Sequence, residues 1–249
     1  MDSAEFLRHY GVKGMKWGVR KDLYRDSYNK DLVLEKGSTI QNVSGKTETI
    51  LDGRPVYGAH TELDRLSYRG EYADYVKEWQ SRTVYQNDLK VVADLKIPSQ
   101  KNAVNVFMKT YKQDPEGMAR SIAKAKADVS MLGHIGKSFG LDVESRTVKN
   151  FAKKGDDWIQ NEGFAHFNKS MMSSAEVQAR SKYFDALLAN GYGGVRDTHD
   201  INNAYRSEDP VIIIAPHKSL TRGNASKLTR KDIDAAVLEY KARLAADNH

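Results

Sequence analysis

The chain has 249 residues, 40% of them hydrophobic and 29% charged, with a formal net charge of +6 and no cysteine. That composition suits one large folded domain and excludes a chain too polar to build a core, a disulfide-stapled scaffold and a thiolate metal site. No apolar run reaches bilayer length, so no membrane association is expected, and no apolar stretch follows the first basic residues as a secretory signal requires.

Residues 1–31 form a basic tag and linker ahead of a single domain over 32–249. Five cations against two acids give the first 21 residues a charge of +3, half of the chain's excess. Gly11, Gly14 and Gly18 oppose a helix. Between them Val12, Met15, Trp17 and Val19 alternate roughly with Lys13, Lys16 and Arg20. The alternation suits a short extended segment with an apolar side and a basic side. Met15 and Trp17 are anchors of the kind interfaces use, and Lys13, Lys16 and Arg20 would steer an encounter. A plain flexible arm is the alternative.

In the domain, Leu32–Leu34 and Ser38–Val43 are β-branched and alternating, which predicts a strand pair turning at Gly37. Val56–Thr61 predicts another strand. Tyr72, Tyr75, Val76 and Trp79 have helical spacing. Leu89–Ile97 predicts one long strand closed by Pro98. Ser99 caps a helix carrying Ala103, Val106, Phe107 and Thr110, which ends at Asp114 and Pro115. Met118, Ile122, Ala125, Val129 and Leu132 line a further helix that stops at Gly133, and Val143–Lys153 predicts another, broken at Gly155.

Trp158, Ile159, Phe164 and Phe167 are core residues of a short helical or loop region. Ser173 or Ser174 caps a helix that buries Val177, Phe184, Leu187 and Leu188 and closes at Gly191. Tyr192–Arg196 is a short strand. Pro210–Ala215 is almost wholly apolar and is expected at the centre of a sheet, buried on both faces. Thr229 caps the last helix, 229–246, with Ile233, Ala236, Val237, Tyr240 and Leu244 as its apolar stripe. Strands, then helices, then strands define an α+β fold with helices on a mixed sheet.

The seven histidines form no HExxH-type cluster. Asp197, His199 and Asp200 are polar neighbours of the kind that make a turn, and no metal site is expected. There is no P-loop and no Gly-x-Ser-x-Gly elbow; Gly133–Gly136 with Lys137 and Ser138 lacks the strand a phosphate loop follows. Nucleic-acid binding would rest on the tag and a basic helix with Arg120, Lys124 and Lys126, without a recognised binding motif.

The run His9-Tyr-Gly-Val-Lys-Gly-Met-Lys-Trp-Gly18 is very similar to a short motif of proteins from tailed-phage and prophage structural clusters. The resemblance implies a minor structural or head-morphogenesis protein, a virion component as partner of the tag, and a location in the bacterial host cytoplasm during assembly or in the virion. The absence of cysteine suits that location.

Three separated pieces of the body resemble the ADP-ribosyltransferase-like fold of phage and mobile-element proteins: Lys36–Ser44, Val56–Thr61 with Asp64 and Tyr68, and Leu188–Asp197 followed by the strand Val211–Ala215. The resemblance implies NAD as cofactor in an active member. By position it assigns Asn42 and Thr61 to the dinucleotide, and Tyr57, His60, Glu62 and Asp197 to the chemistry. Asn42 stands where the family has an arginine or histidine, and the last strand offers no glutamate. The two departures imply an inherited scaffold. The alternative is a mono-ADP-ribosyltransferase acting on host proteins.

Overall fold

The apolar run at 210–215 lies at the centre of the fold. In a computed structural model that describes residues 29–49, 51–80, 82–120, 148–149, 151, 153–170, 177–197 and 210–246, its strand β7 (Val211–Ile213) is flanked on both sides. Its neighbours are β3 (Val56–Gly58) and β6 (Gly194–Arg196). Side chains alternate across a strand, so Val211 and Ile213 join one apolar cluster and Ile212 another. Both faces are therefore covered, which is why the run lacks polar alternation.

Two more sheets adjoin this one. β2 (Thr39–Ser44), β4 (Tyr85–Val91) and β8 (Leu220–Lys227) form the first, in the order β2-β4-β8, and β1 (Leu32–Leu34) pairs with β5 (Leu95–Ile97) in the second. Mutual Gln41 and Ala59 backbone bonds of 2.9 and 2.8 Å link β2 to β3. The Gly193 N–H donates to the Lys96 carbonyl at 2.9 Å and links β6 to β5. Leu34, Ile40, Leu89, Ile97, Val211 and Ile213 fill the space these sheets enclose.

The helices cover the outside. α1 runs from Glu62–Ser67 through a π turn at Tyr68–Tyr72 into Ala73–Gln80. α2 is Gln100–Gln113; α3 runs from Asp156–Trp158 through a π turn at Ile159–Gly163 into Phe164–Ser170; α4 is Val177–Ala189. After the short α5 (Pro216–Ser219), α6 (Arg230–Ala246) ends the described chain. Phe107 of α2 packs at centroid distances of 5.3 Å on Phe164, 5.2 Å on Phe167 and 6.2 Å on Tyr183. This aromatic cluster lies against Ile212 and Val195. α1 and α6 pack together and share a cluster with Val43 and Ala59.

The α+β class is as expected, and several local expectations hold. Ser99 accepts from the Asn102 N–H, the Thr229 hydroxyl accepts from the Asp232 N–H, and Gly191 adopts a φ of 79°. Five expectations change. Leu188, expected in the buried face of α4, is 37% exposed. Every strand pairing among the described residues is antiparallel, so three antiparallel sheets replace the mixed one. β1 and β2 do not pair with each other: β1 takes β5 and β2 takes β4. The strand expected over Leu89–Ile97 is two strands, interrupted at residues 92–94. β8 was not foreseen: residues 221–227 are exposed throughout, so it lacks the hydrophobic signal and is held by its ladder to β4. The tag, the caps at Ser173 and Ser174, and the helix over residues 122–132 lie outside the described residues.

Candidate functional site at the end of the β3 sheet

The register brings the residues named for chemistry to neighbouring strands. Tyr57 pairs with Ile212, which pairs with Val195; Gly58 pairs with Val211, which pairs with Arg196. The next residues along are therefore Ala59, Pro210 and Asp197, and the Asp197 N–H donates to the Pro210 carbonyl at 2.9 Å. On the other side Gln41 bridges Ala59. Asn42 and Tyr57 thus lie mid-strand on the neighbouring β2 and β3, and His60, Thr61 and Asp197 lie just beyond the ends of β3 and β6. Two strand spacings separate Ala59 from Asp197, about 10 Å.

Asn42, Thr61 and Tyr57 already have structural work. The Asn42 amide Nδ2 donates to the Tyr57 carbonyl at 3.0 Å, and its Oδ1 accepts from the Thr49 hydroxyl at 3.1 Å. Directly opposite, Asn87 donates to the Lys46 carbonyl at 3.2 Å. The two asparagines therefore fasten the loop after β2 onto the sheet. Thr61 is the N-cap of α1: it accepts from the Asp64 N–H at 3.1 Å and donates to the Asp64 carboxylate at 2.6 Å. Tyr57 is half-buried, with its ring 6.4 Å from Tyr68. His60 is half-buried, Glu62 is exposed at 3.9 Å from Arg65, and Asp197 is only 4% exposed.

No cation stands at position 42. Arg65 donates to the Thr39 carbonyl at 2.6 Å instead. An uncharged amide with both functions engaged offers a diphosphate little electrostatic attraction. Among the described residues no group of three acids, histidines or cysteines could hold a metal ion, and no helix is long and apolar enough to cross a membrane.

Two features had no signal in the sequence. Arg196 is a buried arginine on β6: its Nη1 donates to the Lys30 carbonyl at 3.3 Å, and its carbonyl accepts from Asn168 at 3.2 Å. Asp31 gathers the Ser99 N–H, Asn102, Tyr192 and Lys96 around one carboxylate. Their partners lie 28 to 166 positions away, so no local pattern reports them. A groove of about 590 Å³ between α2 and α4, with Val106, Thr110 and Ala186 on its floor and Lys109, Asp114 and Lys182 at its rim, contains none of the residues named for chemistry or docking.

The model of a family of unknown function (DUF7211) matches residues 1–23. That range contains the whole His9–Gly18 motif and stops short of β1. No curated protein and no solved structure matches the chain.

Proposed function

We propose that this chain is a virion-associated or morphogenesis protein of a tailed phage or prophage, whose N-terminal tag docks on another structural component. The observation that supports this most is the confinement of the family match to residues 1–23. A match that ends ahead of β1 is what a docking segment distinct from the domain would give. Trp17 and Met15 anchor it, and Lys13, Lys16 and Arg20 attract an acidic surface. The α+β domain is then a scaffold. That part of the reading is favoured by Asn42, Thr61 and Tyr57 being occupied with loop, cap and ring contacts.

The test is incorporation into assembled particles. Trp17→Ala is expected to cut incorporation about tenfold or more while leaving thermal unfolding unchanged, as removal of a buried aromatic anchor does. Unchanged incorporation sinks the docking role.

A second reading has one observation in its favour. Residues far apart in sequence, Asn42, Tyr57, His60 and Asp197, lie on or just beyond adjoining strands, as a mono-ADP-ribosyltransferase acting on host proteins with NAD would require. Labelled NAD incubated with the protein and a host lysate decides it: transfer lost in Tyr57→Ala and His60→Ala establishes the enzyme, and no nicotinamide release removes it.

A further inference from the structure

Helix α6 is apolar on two sides. Its inner stripe of Ile233, Ala236 and Tyr240 is buried in the domain, as expected. The opposite side carries Ala235, Leu238, Ala242 and Ala245, all exposed, and Leu238 at 70% is the most exposed large hydrophobic among the described residues. At about 100° per residue these four fall within one quarter of the helix, with Lys231 at the N-terminal end of the row. An exposed leucine alone needs no explanation. A leucine centred in a row of alanines, flanked by ordered charges, is a helix-packing face.

The charges identify the occupant. Asp234 and Lys241 lie on one flank of this row, and Asp232, Glu239 and Arg243 on the other. In an antiparallel pair related by a two-fold axis, each flank faces the same flank of the other copy. With the axis at Leu238, Leu238 meets its own mate, Ala235 lies beside Ala242 of the second copy, and Lys231 lies beside Ala245. The same axis, within half a residue, sets Asp234 against Lys241 on one flank and Asp232 against Arg243 on the other. Within one copy Asp234 also pairs with Arg230 at 2.8 Å and Asp232 accepts from Thr229, so these contacts extend existing pairs. Glu239 approaches its own mate, and its 2.8 Å ion pair with Arg243 carries the counter-charge. A parallel pair in register would instead face opposite flanks, bringing Asp234 towards Glu239 of the second copy, a like-charge contact.

The geometry points to a second copy of this chain as the partner of α6, docked antiparallel about Leu238. The 17-residue helix is about 25 Å long, and with alanines at the seam the area falls below that of standard stable interfaces. The association is therefore weak in dilute solution and operates where copies are held close together. It does not depend on the tag.

The absence of cysteine makes the test direct. Leu238→Cys is expected to form a disulfide-linked dimer under mild oxidation, much faster than the exposed control Thr221→Cys on β8. Ala235→Cys and Ala242→Cys chains should cross-link when mixed and hardly at all alone, which a parallel pair would reverse. Asp234→Lys should weaken self-association about tenfold in sedimentation at several hundred micromolar, and adding Lys241→Asp in the same chain should restore it. A monomer at that concentration with Leu238→Cys no faster than the control overturns the proposal and leaves the face to another protein. Dimers unaffected by Leu238→Lys overturn it too.

Discussion

Ser99 donates its backbone N–H to the Asp31 carboxylate at 2.7 Å, across 68 positions of sequence. The bond fixes the start of the domain to the first turn of α2. Asn102 at 2.9 Å, Lys96 at 3.2 Å and Tyr192 at 3.2 Å complete the shell.

Partial burial works to raise the Asp31 pKa, but the Ser99 N–H, Asn102 and Lys96 outweigh it and hold the carboxyl at about 2. An unfolded Asp titrates near ~3.9. The folded value is the lower one, so the stabilisation is complete above about pH 4 and is lost as pH falls from there through about 2. Asp31→Asn should lower stability at pH 7 by about 1–2 kcal/mol, allowing for solvent screening. Denaturant melts should show the gap closing between pH 4 and 2; a gap constant over that range would remove the charge from the explanation.

Gly194 lies where β6 passes under β5. An added Cβ would sit 2.6 Å from the Ile97 Cδ1 and 2.7 Å from the Ile212 carbonyl oxygen. The side chain could give way, but the backbone oxygen cannot without disturbing the central ladder. Gly194→Ala should cost about 1–3 kcal/mol by overpacking. Gly191→Ala tests a different constraint: nothing lies within 4 Å, and only its φ of 79° resists the change. Equal costs at both sites would argue against the packing account.

Asn42 separates the scaffold reading from the enzymatic one. Asn42→Ala removes the bonds to Tyr57 and Thr49 and should destabilise the fold by about 1–2 kcal/mol. Under the scaffold reading Asn42→Arg is destabilising as well, and it brings no NAD turnover. If Asn42→Arg releases nicotinamide from NAD, this region is a latent active site and the scaffold reading fails.

Arg230 reaches three carboxylates, Asp74 at 2.5 Å, Asp234 at 2.8 Å and Glu78 at 3.0 Å, but its side chain is half exposed. Tyr240 has no exposed surface. Tyr240→Ala should cost about 3–5 kcal/mol, and Arg230→Ala much less, because water and salt screen exposed pairs. A larger loss for Arg230→Ala in thermal melts would mean that charge holds α6 to α1.

The elements legible in the sequence were those whose cause is local. The cap at Ser99, the turn at Gly191 and the helical spacing of Ile233, Ala236 and Tyr240 are local stereochemistry, and the run at 210–215 reports burial on both faces whatever its neighbours are. The α+β class followed from such signals. Tertiary structure alone decided which strands pair, because β1 next to β2 and β1 next to β5 satisfy the same alternation. It alone showed β8, whose residues 221–227 are exposed and whose order rests mainly on its backbone ladder to β4, with Leu220 buried at its start and Arg222 bonded to Thr49. It also set Asn42 beside Tyr57 and Asp31 against Ser99, since a contact between distant positions depends on register and packing that no short stretch of sequence contains.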